Sequence, residues 1–398
     1  MKRKSKDIIM DSDSWSTCPF CELSVPSHQL QRHANDHFHD PSDDADHMLL
    51  QQSRQSVSGS GYEAVSGDCN YRYGGETSRD NGQCKMDEQI SCLIGLQTRG
   101  NFYKVELGLT TLLRNCLESE TENLKSILSG YVDHFQSLDS EDAGWGCGWR
   151  NIQMLSSHLL AQRQEAREVL FGGSGFVPDI PSLQRWLEIA WEKGFDAPGA
   201  SQLDHVVYGS KKWIGTTECA ALLRSFALRA RVVDFGPKEE SQSVVGTSVD
   251  KAVDKARNDK TDNNEVKNSE AYQVLMDFVW NYFSNENTIQ FGQQHVVISE
   301  KTPLYFQHDG HSRTIVGVQA KHQQNGYLAY NLLVLDPAHS TPALERSLKK
   351  KIGWQKLVKK GRNTLKKPQY QLCYVDPGIA SEEEMENLKT IDSVFLEL

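Results

Sequence analysis

The stretch Gly144-Trp145-Gly146-Cys147-Gly148-Trp149-Arg150-Asn151-Ile152-Gln153-Met154 constrains this chain more than any other. Three glycines and two tryptophans surround one cysteine. The residues before it, Asp139-Ser140-Glu141-Asp142-Ala143, read as a polar turn. The residues after it carry Ile152, Leu155, Leu159 and Leu160 at helical spacing. Cys147 therefore falls where a loop becomes a helix. Free N–H groups and the dipole at a helix N-terminus favour a thiolate. Glycines on both sides let a substrate backbone approach the sulfur. The plainer reading of the same residues is a packed cysteine in a glycine-rich turn.

The chain has 398 residues, room for two or more domains. With 43 Lys and Arg against 53 Asp and Glu, its formal charge is −10, which argues against a general nucleic-acid binder. Lys2-Arg3-Lys4, Lys349-Lys350-Lys351 and Lys359-Lys360 read as solvated basic faces. No apolar run approaches a membrane span and no signal peptide is visible, so the expected location is nucleus or cytoplasm. Nine cysteines, an odd number, fit a reducing compartment with a metal site and a reactive thiol.

Near the N-terminus stands Cys18-Pro19-Phe20-Cys21, followed by His33 and His37. In this C-x2-C-x11-H-x3-H pattern the cysteines suit a tight knuckle. The histidines, four apart, share a helix face, so Cys18, Cys21, His33 and His37 can close on tetrahedral Zn2+. We assign residues 15–39 to a C2H2-type zinc finger whose metal supplies much of its folding energy. DNA-reading fingers come in basic arrays, whereas this one stands alone with acidic ends. Residues 40–88, rich in Ser, Gly, Asp and Gln, read as a disordered linker.

Residues 89–398 carry ordered patterns. A helical stripe is expected over 105–131, from Val105 through Leu109, Leu112, Leu113, Leu117, Leu124, Ile127 and Leu128 to Tyr131. Further helices are expected over 181–193, 219–228 and 272–283, with a short strand at 232–235. The charged stretch 237–268 reads as a disordered insertion. Candidate strands follow at 295–299, 303–307, 313–320, 328–336 and 369–375. Helices first and an antiparallel sheet after define an α+β domain.

A cysteine nucleophile needs a general base and a group that orients it. His311 follows a glycine turn in Gln307-His308-Asp309-Gly310-His311 and precedes a strand; Asp336 ends the next long strand before Pro337. Two neighbouring strands can bring them together, with Asp336 fixing the imidazole tautomer. His339 is the competing base. His308 reads as a surface or supporting residue, and Asp376-Pro377 as a second strand end.

The Cys147 motif, the Trp213-Ile214-Gly215 entry to a helix, and the His311 segment resemble the papain-like cysteine peptidases that act on the ubiquitin-fold modifier. They resemble most their relatives, the zinc-finger-containing ubiquitin peptidases. The resemblance runs from Asp87 to the C-terminus, apart from the polar insert. It implies a papain-like domain with Cys147 as nucleophile, His311 as base and Asp336 as its partner. The modifier-specific enzymes carry Asp-Pro-His, and here Ala338 holds the histidine position while His339 lies one residue beyond. Those enzymes also place a tyrosine hydroxyl twelve residues before the nucleophile, where this chain has Phe135. The oxyanion donors expected here are the Cys147 N–H and one of His134, Gln136 and Gln307. Trp145 is expected to wall a narrow channel for a Gly-Gly tail. The resemblance implies cleavage of ubiquitin or polyubiquitin, including lysine-63-linked chains, from ubiquitinated proteins. Its rivals are the ubiquitin-fold modifier as substrate and an inactive zinc-finger adaptor.

Overall fold

The computed structural model describes residues 15–18, 23–26, 29–30, 33–34, 80–120, 124–236, 271–284, 295–322 and 328–396. The expected insertion 237–268 and the candidate ligands Cys21 and His37 lie outside these residues.

Strands β1 (Trp15–Thr17) and β2 (Ser24–Pro26) form an antiparallel hairpin, and residues 29–30 and 33–34 are helical. Helix α1 (Asp80–Leu96) begins inside the stretch read as linker. Then come α2 (Leu109–Leu117), strand β3 (Leu124–Leu128), α3 (Cys147–Gln162), α4 (Gln164–Val169), α5 (Ile180–Glu192), α6 (Ala197–Gln202) and α7 (Thr216–Arg224). Strand β4 (Leu228–Phe235) precedes helix α8 at 271–283. The later half holds β5 (Val296–Ile298), β6 (Leu304–His308), β7 (His311–His322), β8 (Leu328–Leu335), α9 (Thr341–Lys350), α10 (Trp354–Val358), β9 (Lys359–Lys360), β10 (Tyr370–Ile379), α11 (Glu382–Leu388) and β11 (Ser393–Leu396).

Nine strands make one sheet in the order β11-β4-β10-β6-β7-β3-β5, with β8 paired to β7 and to β9. Two apolar clusters cover its faces. Tyr305, Val316, Leu333, Leu335, Cys373 and Val375 face α2, α3, α5 and α7. Leu304, Phe306, Ile315, Val318, Leu332 and Leu372 face α8 through Leu275, Met276, Val279 and Phe283. Residues on alternate strand positions thus go to opposite helical layers, as the pleat requires.

Several expectations change. The 105–131 stripe is not one helix: α2 ends at Leu117, and Leu124, Ile127 and Leu128 belong to β3. Pairing with β5 and β7 fixes this apolar run as a strand, since its backbone completes two ladders. The sheet is mixed, because β3–β5 and β4–β11 run parallel. The helix expected over 219–228 ends at Arg224, and Ala227 takes φ 61° before β4 begins at Leu228. Lys359 is not a solvated cation: it is 14% exposed, bonds Glu120 at 2.7 Å and lies over the Trp354 ring.

Candidate active site

Cys147 is the first residue of α3 and is half-buried. The helix is buried almost all round, from Gly148 to Leu160, so it runs through the domain's interior with its N-terminus at a surface. A buried ion pair holds the loop before it. Arg150 donates to both oxygens of Asp142, from Nε at 3.1 Å and from Nη2 at 2.6 Å. Asp142 Oδ1 also accepts the Leu138 N–H at 2.9 Å, and its backbone carbonyl accepts the Gly146 N–H at 2.8 Å.

The glycines of the motif have separate reasons. Gly144 sits at φ 87°, a left-handed conformation. A Cβ on Gly146 would stand 2.3 Å from Asp142 Oδ2, inside the ion pair. A Cβ on Gly148 would stand 2.7 Å from the Ile214 carbonyl oxygen and 3.0 Å from the Tyr305 hydroxyl. The close approach is therefore to the protein's own backbone across the cleft.

That opposite wall is Trp213-Ile214-Gly215, the entry to α7. A Cβ on Gly215 would come 2.8 Å from Gln307 Oε1, and one on Gly310 would come 2.6 Å from Trp213 and 3.3 Å from Leu30 of the N-terminal helical segment. Leu30 is 4% exposed, so this N-terminal helical segment packs on the tip of the β6–β7 hairpin.

His308-Asp309-Gly310-His311 forms this tip. Asp309 (φ 48°) and Gly310 (φ 72°) are both left-handed and His308 pairs with His311, which makes a two-residue turn of the primed kind favoured by Asp-Gly. Beyond it Gln307 pairs with Ser312. Ser312 Oγ donates to Cys147 Sγ at 3.3 Å, and Thr314 Oγ1 donates to Asn151 Oδ1 at 2.7 Å. Residues 312 and 314 thus face α3, and Gln307, as the cross-strand partner of Ser312, shares that face.

His311 alternates to the other face, together with Arg313. Asp336, which follows Leu335 opposite Thr314, joins them there. The Asp336 carboxylate accepts from Arg313 Nε at 2.6 Å and from the Ala338 N–H at 3.0 Å. Burial alone would raise its pKa, but Arg313 and the Ala338 bond outweigh burial and hold it below the usual carboxylate range. Desolvation, then the Arg313 cation, lowers the pKa of His311, while Asp309 and Asp336 oppose them. His311 is accordingly neutral at neutral pH, the state a base requires.

The structure therefore brings His311 and Asp336 to one face, within electrostatic reach. Among the described residues, no hydrogen bond joins His311 to Asp336, and Ser312 rather than His311 is bonded to the Cys147 sulfur. Spacing alone missed Ser312; strict alternation from the Asp-Gly turn would have pointed to it. His339 also lies near Asp336, its N–H donating to the Asp336 carbonyl at 3.0 Å; burial lowers its pKa and Asp336 opposes this.

Two of the three side chains considered as oxyanion donors are engaged elsewhere. His134, 2% exposed, bonds Thr341 Oγ1 at 2.8 Å and the Asp336 carbonyl at 3.0 Å, and burial lowers its pKa to about 4. Gln136 Oε1 accepts the Thr341 N–H at 2.6 Å. Both brace the start of α9. Gln307 remains on the cysteine face, with its Oε1 buried and lacking a hydrogen-bond partner. His308 is half-buried; its Nε2 meets Arg313 Nη1 at 2.9 Å, and burial, then Arg313, lowers its pKa to about 3. Trp145 is half-buried against the core cluster. Phe135 is 1% exposed with its ring 4.7 Å from Phe102, so the modifier-specific tyrosine position is core here.

In the finger region Cys18 is fully buried, and its N–H closes a knuckle onto the Leu23 carbonyl at 2.8 Å. His33 is half-buried in the helical segment. Cys18 and His33 are the two candidate zinc ligands among the described residues, and the order there is a hairpin followed by a helical segment.

A thiol at the mouth of a core helix, packed on a mixed sheet whose neighbouring strands carry polar and imidazole groups, suits the class of the cysteine peptidases. The chain belongs to peptidase family C78, whose model matches residues 122–373. It is 34% identical over 281 residues to zinc finger-containing ubiquitin peptidase 1 of Homo sapiens, which covers 70% of this chain and 42% of that protein. The chain thus spans less than half of that relative's length. It is 31% identical over 212 residues to ubiquitin carboxyl-terminal hydrolase mug105 of Schizosaccharomyces pombe, 53% of this chain and 67% of that protein. A shorter match, 34% over 103 residues (25% of this chain, 38% of the other), is to Ufm1-specific protease 1 of Mus musculus. A crystal structure of UfSP from C. elegans aligns over 66% of this chain and 36% of that one, at 16% identity and a TM-score of 0.36.

Proposed function

We propose that this protein is a papain-like cysteine isopeptidase that releases ubiquitin, including from lysine-63-linked chains, in the nucleus or cytoplasm. The single observation that carries this is the Cys147 thiol at the N-terminus of α3, with a hydroxyl donor on its sulfur. Relatives named as a zinc finger-containing ubiquitin peptidase and a ubiquitin carboxyl-terminal hydrolase match 70% and 53% of the chain. Phe135 and Ala338 stand where a modifier-specific enzyme would carry tyrosine and histidine, which favours ubiquitin over the ubiquitin-fold modifier.

Cys147 attacks the carbonyl of a terminal glycine and forms a thioester, which water then hydrolyses. The Cys147 N–H and Gln307 stabilise the oxyanion. His311 takes the thiol proton and returns it to the leaving lysine amine. In the structure the His311 imidazole shares the other sheet face with Asp336, which is bonded to Arg313, so this step requires the hairpin tip to bring it toward α3 when substrate binds. Catalytic hydrogen bonds that tighten only in the substrate complex are common. Trp145 lines the tail channel. Cys18, Cys21, His33 and His37 hold Zn2+ structurally, and the finger supplies a further ubiquitin contact that raises avidity for chains.

Two electrophilic probes test the reading, one built on ubiquitin and one on the ubiquitin-fold modifier. Each is offered to the wild type and to Cys147→Ala, His311→Ala and His339→Ala. The ubiquitin probe alone should label, with loss in Cys147→Ala and a fall of about 100-fold or more in His311→Ala. Labelling by the modifier probe alone would refute the substrate. A larger effect of His339→Ala than of His311→Ala would refute the base. Labelling by neither probe would favour the adaptor.

A further inference from the structure

Ser312 does more at the Cys147 sulfur than fill space. It is 4% exposed and its Oγ is 3.3 Å from Sγ. Behind it is Tyr305, fully buried, whose hydroxyl donates to the Ile214 carbonyl at 3.3 Å; paired with Thr314, it lies diagonally across from Ser312 on the same sheet face, within interaction reach of it. Burial, then the nearby Cys147, pushes the Tyr305 phenol well above its usual range, so it keeps its proton. That proton is committed to Ile214, a backbone group held close by the bare Cα of Gly148. Tyr305 therefore offers Ser312 only a lone pair.

A serine hydroxyl has one proton to give. Here two acceptors lie within its reach, the sulfur and the phenol oxygen. Which one it serves depends on the charge of the sulfur. A neutral thiol is a weak acceptor, and a thiolate is a strong one.

We propose that Ser312 is a catalytic residue that stabilises the Cys147 thiolate, and that Tyr305 positions it as a two-way donor. With the thiol neutral, the Ser312 proton rests on the Tyr305 oxygen. When the base or water removes the thiol proton, Ser312 rotates and donates to the sulfur. Its own proton never leaves its oxygen, so charge and protons balance with no further reactant. After the thioester forms, the sulfur is neutral again and the hydroxyl swings back. The inference rests on Cys147 being the nucleophile, and it explains how the thiol is primed while His311 is on the opposite sheet face.

The two side chains carry opposite predictions. Ser312→Ala removes the donor to the thiolate. Tyr305→Phe removes the acceptor that holds the hydroxyl when the sulfur is neutral, which favours the thiolate. The experiment follows alkylation of Cys147 by iodoacetamide across pH 5–10 in the full-length protein, read by peptide mass mapping. No ubiquitin is present, so failure of the substrate reading leaves this readout intact. Relative to wild type, the midpoint of the rate profile should rise by about one pH unit or more in Ser312→Ala, roughly a tenfold loss of thiolate well below the midpoint. It should fall in Tyr305→Phe. Urea midpoints of both variants separate these displacements from unfolding, and if one variant does not fold the other still decides by its sign. An unmoved profile in Ser312→Ala, displacement of both in one direction, or a wild-type thiol inert near neutral pH would overturn the proposal. Retained hydrolysis of ubiquitin chains by Cys147→Ala would instead overturn the assignment of the nucleophile, whatever the alkylation profiles do.

Discussion

Replacing Arg150 by Met should destabilise the domain by about 3–5 kcal/mol. Arg150 and Asp142 are 4% and 1% exposed at their side chains and meet through two hydrogen bonds, the shorter 2.6 Å. Charge centres about 4 Å apart attract by about 4 kcal/mol at an effective dielectric near 20. In the variant Asp142 keeps the Leu138 N–H. It loses its cation, and the sheltered carboxylate has no charge to meet. Methionine matches the length and helix preference of arginine, so α3 itself is little disturbed. Urea unfolding followed by tryptophan fluorescence measures the loss. Asp142→Asn combined with Arg150→Met removes the stranded charge and should recover more than half of it. A single-variant loss below about 1 kcal/mol, or a double variant no better than the single, would refute the view that this ion pair holds the loop before Cys147.

Gly148→Ala should cost about 1–3 kcal/mol by overpacking against the Ile214 carbonyl, read from urea unfolding; an unchanged urea midpoint would show that this wall yields freely. Acid should weaken the fold through its buried histidines. Burial lowers His134 and His158 to about 4 and His308 to about 3, below the value near 6.5 of the unfolded chain, so the unfolded state binds more protons between these limits. Stability is full above about pH 6.5 and falls as pH drops toward 4, by about 2 kcal/mol per histidine at pH 5. Urea midpoints at pH 7.5 and pH 5 check this, and equal midpoints would contradict it.

Much of the site can be read in the chain because it is local. The turn of Asp139–Ala143, the glycines around Cys147 and the apolar spacing after it specify a loop and a helix start within some twenty residues. Asp309-Gly310 specifies a hairpin for the same reason: two left-handed residues suit only that turn. The strand expectations at 303–307, 313–320 and 328–336 agree with β6, β7 and β8 because alternation and bounding turns are local too. The stripe through Leu124, Ile127 and Leu128 was ambiguous, since a short apolar run has no period of its own, and the partner strands β5 and β7 decided it.

What the chain by itself determined is which residues are reactive and where the backbone turns: a cysteine at a helix start, a histidine after a tight turn, an aspartate at a strand end. Only the tertiary structure decided which of them touch. Register put Ser312 on the sulfur and Gln307 beside it, sent His311 and Asp336 to the other face, and gave the Asp336 carboxylate to Arg313. Gly146 and Gly148 are needed because Asp142, Ile214 and Tyr305 approach them, two of these from distant parts of the chain. Sequence spacing fixes local conformation, whereas facing and hydrogen-bond choice depend on which strands pair, and pairing is a contest among all the segments of the chain at once.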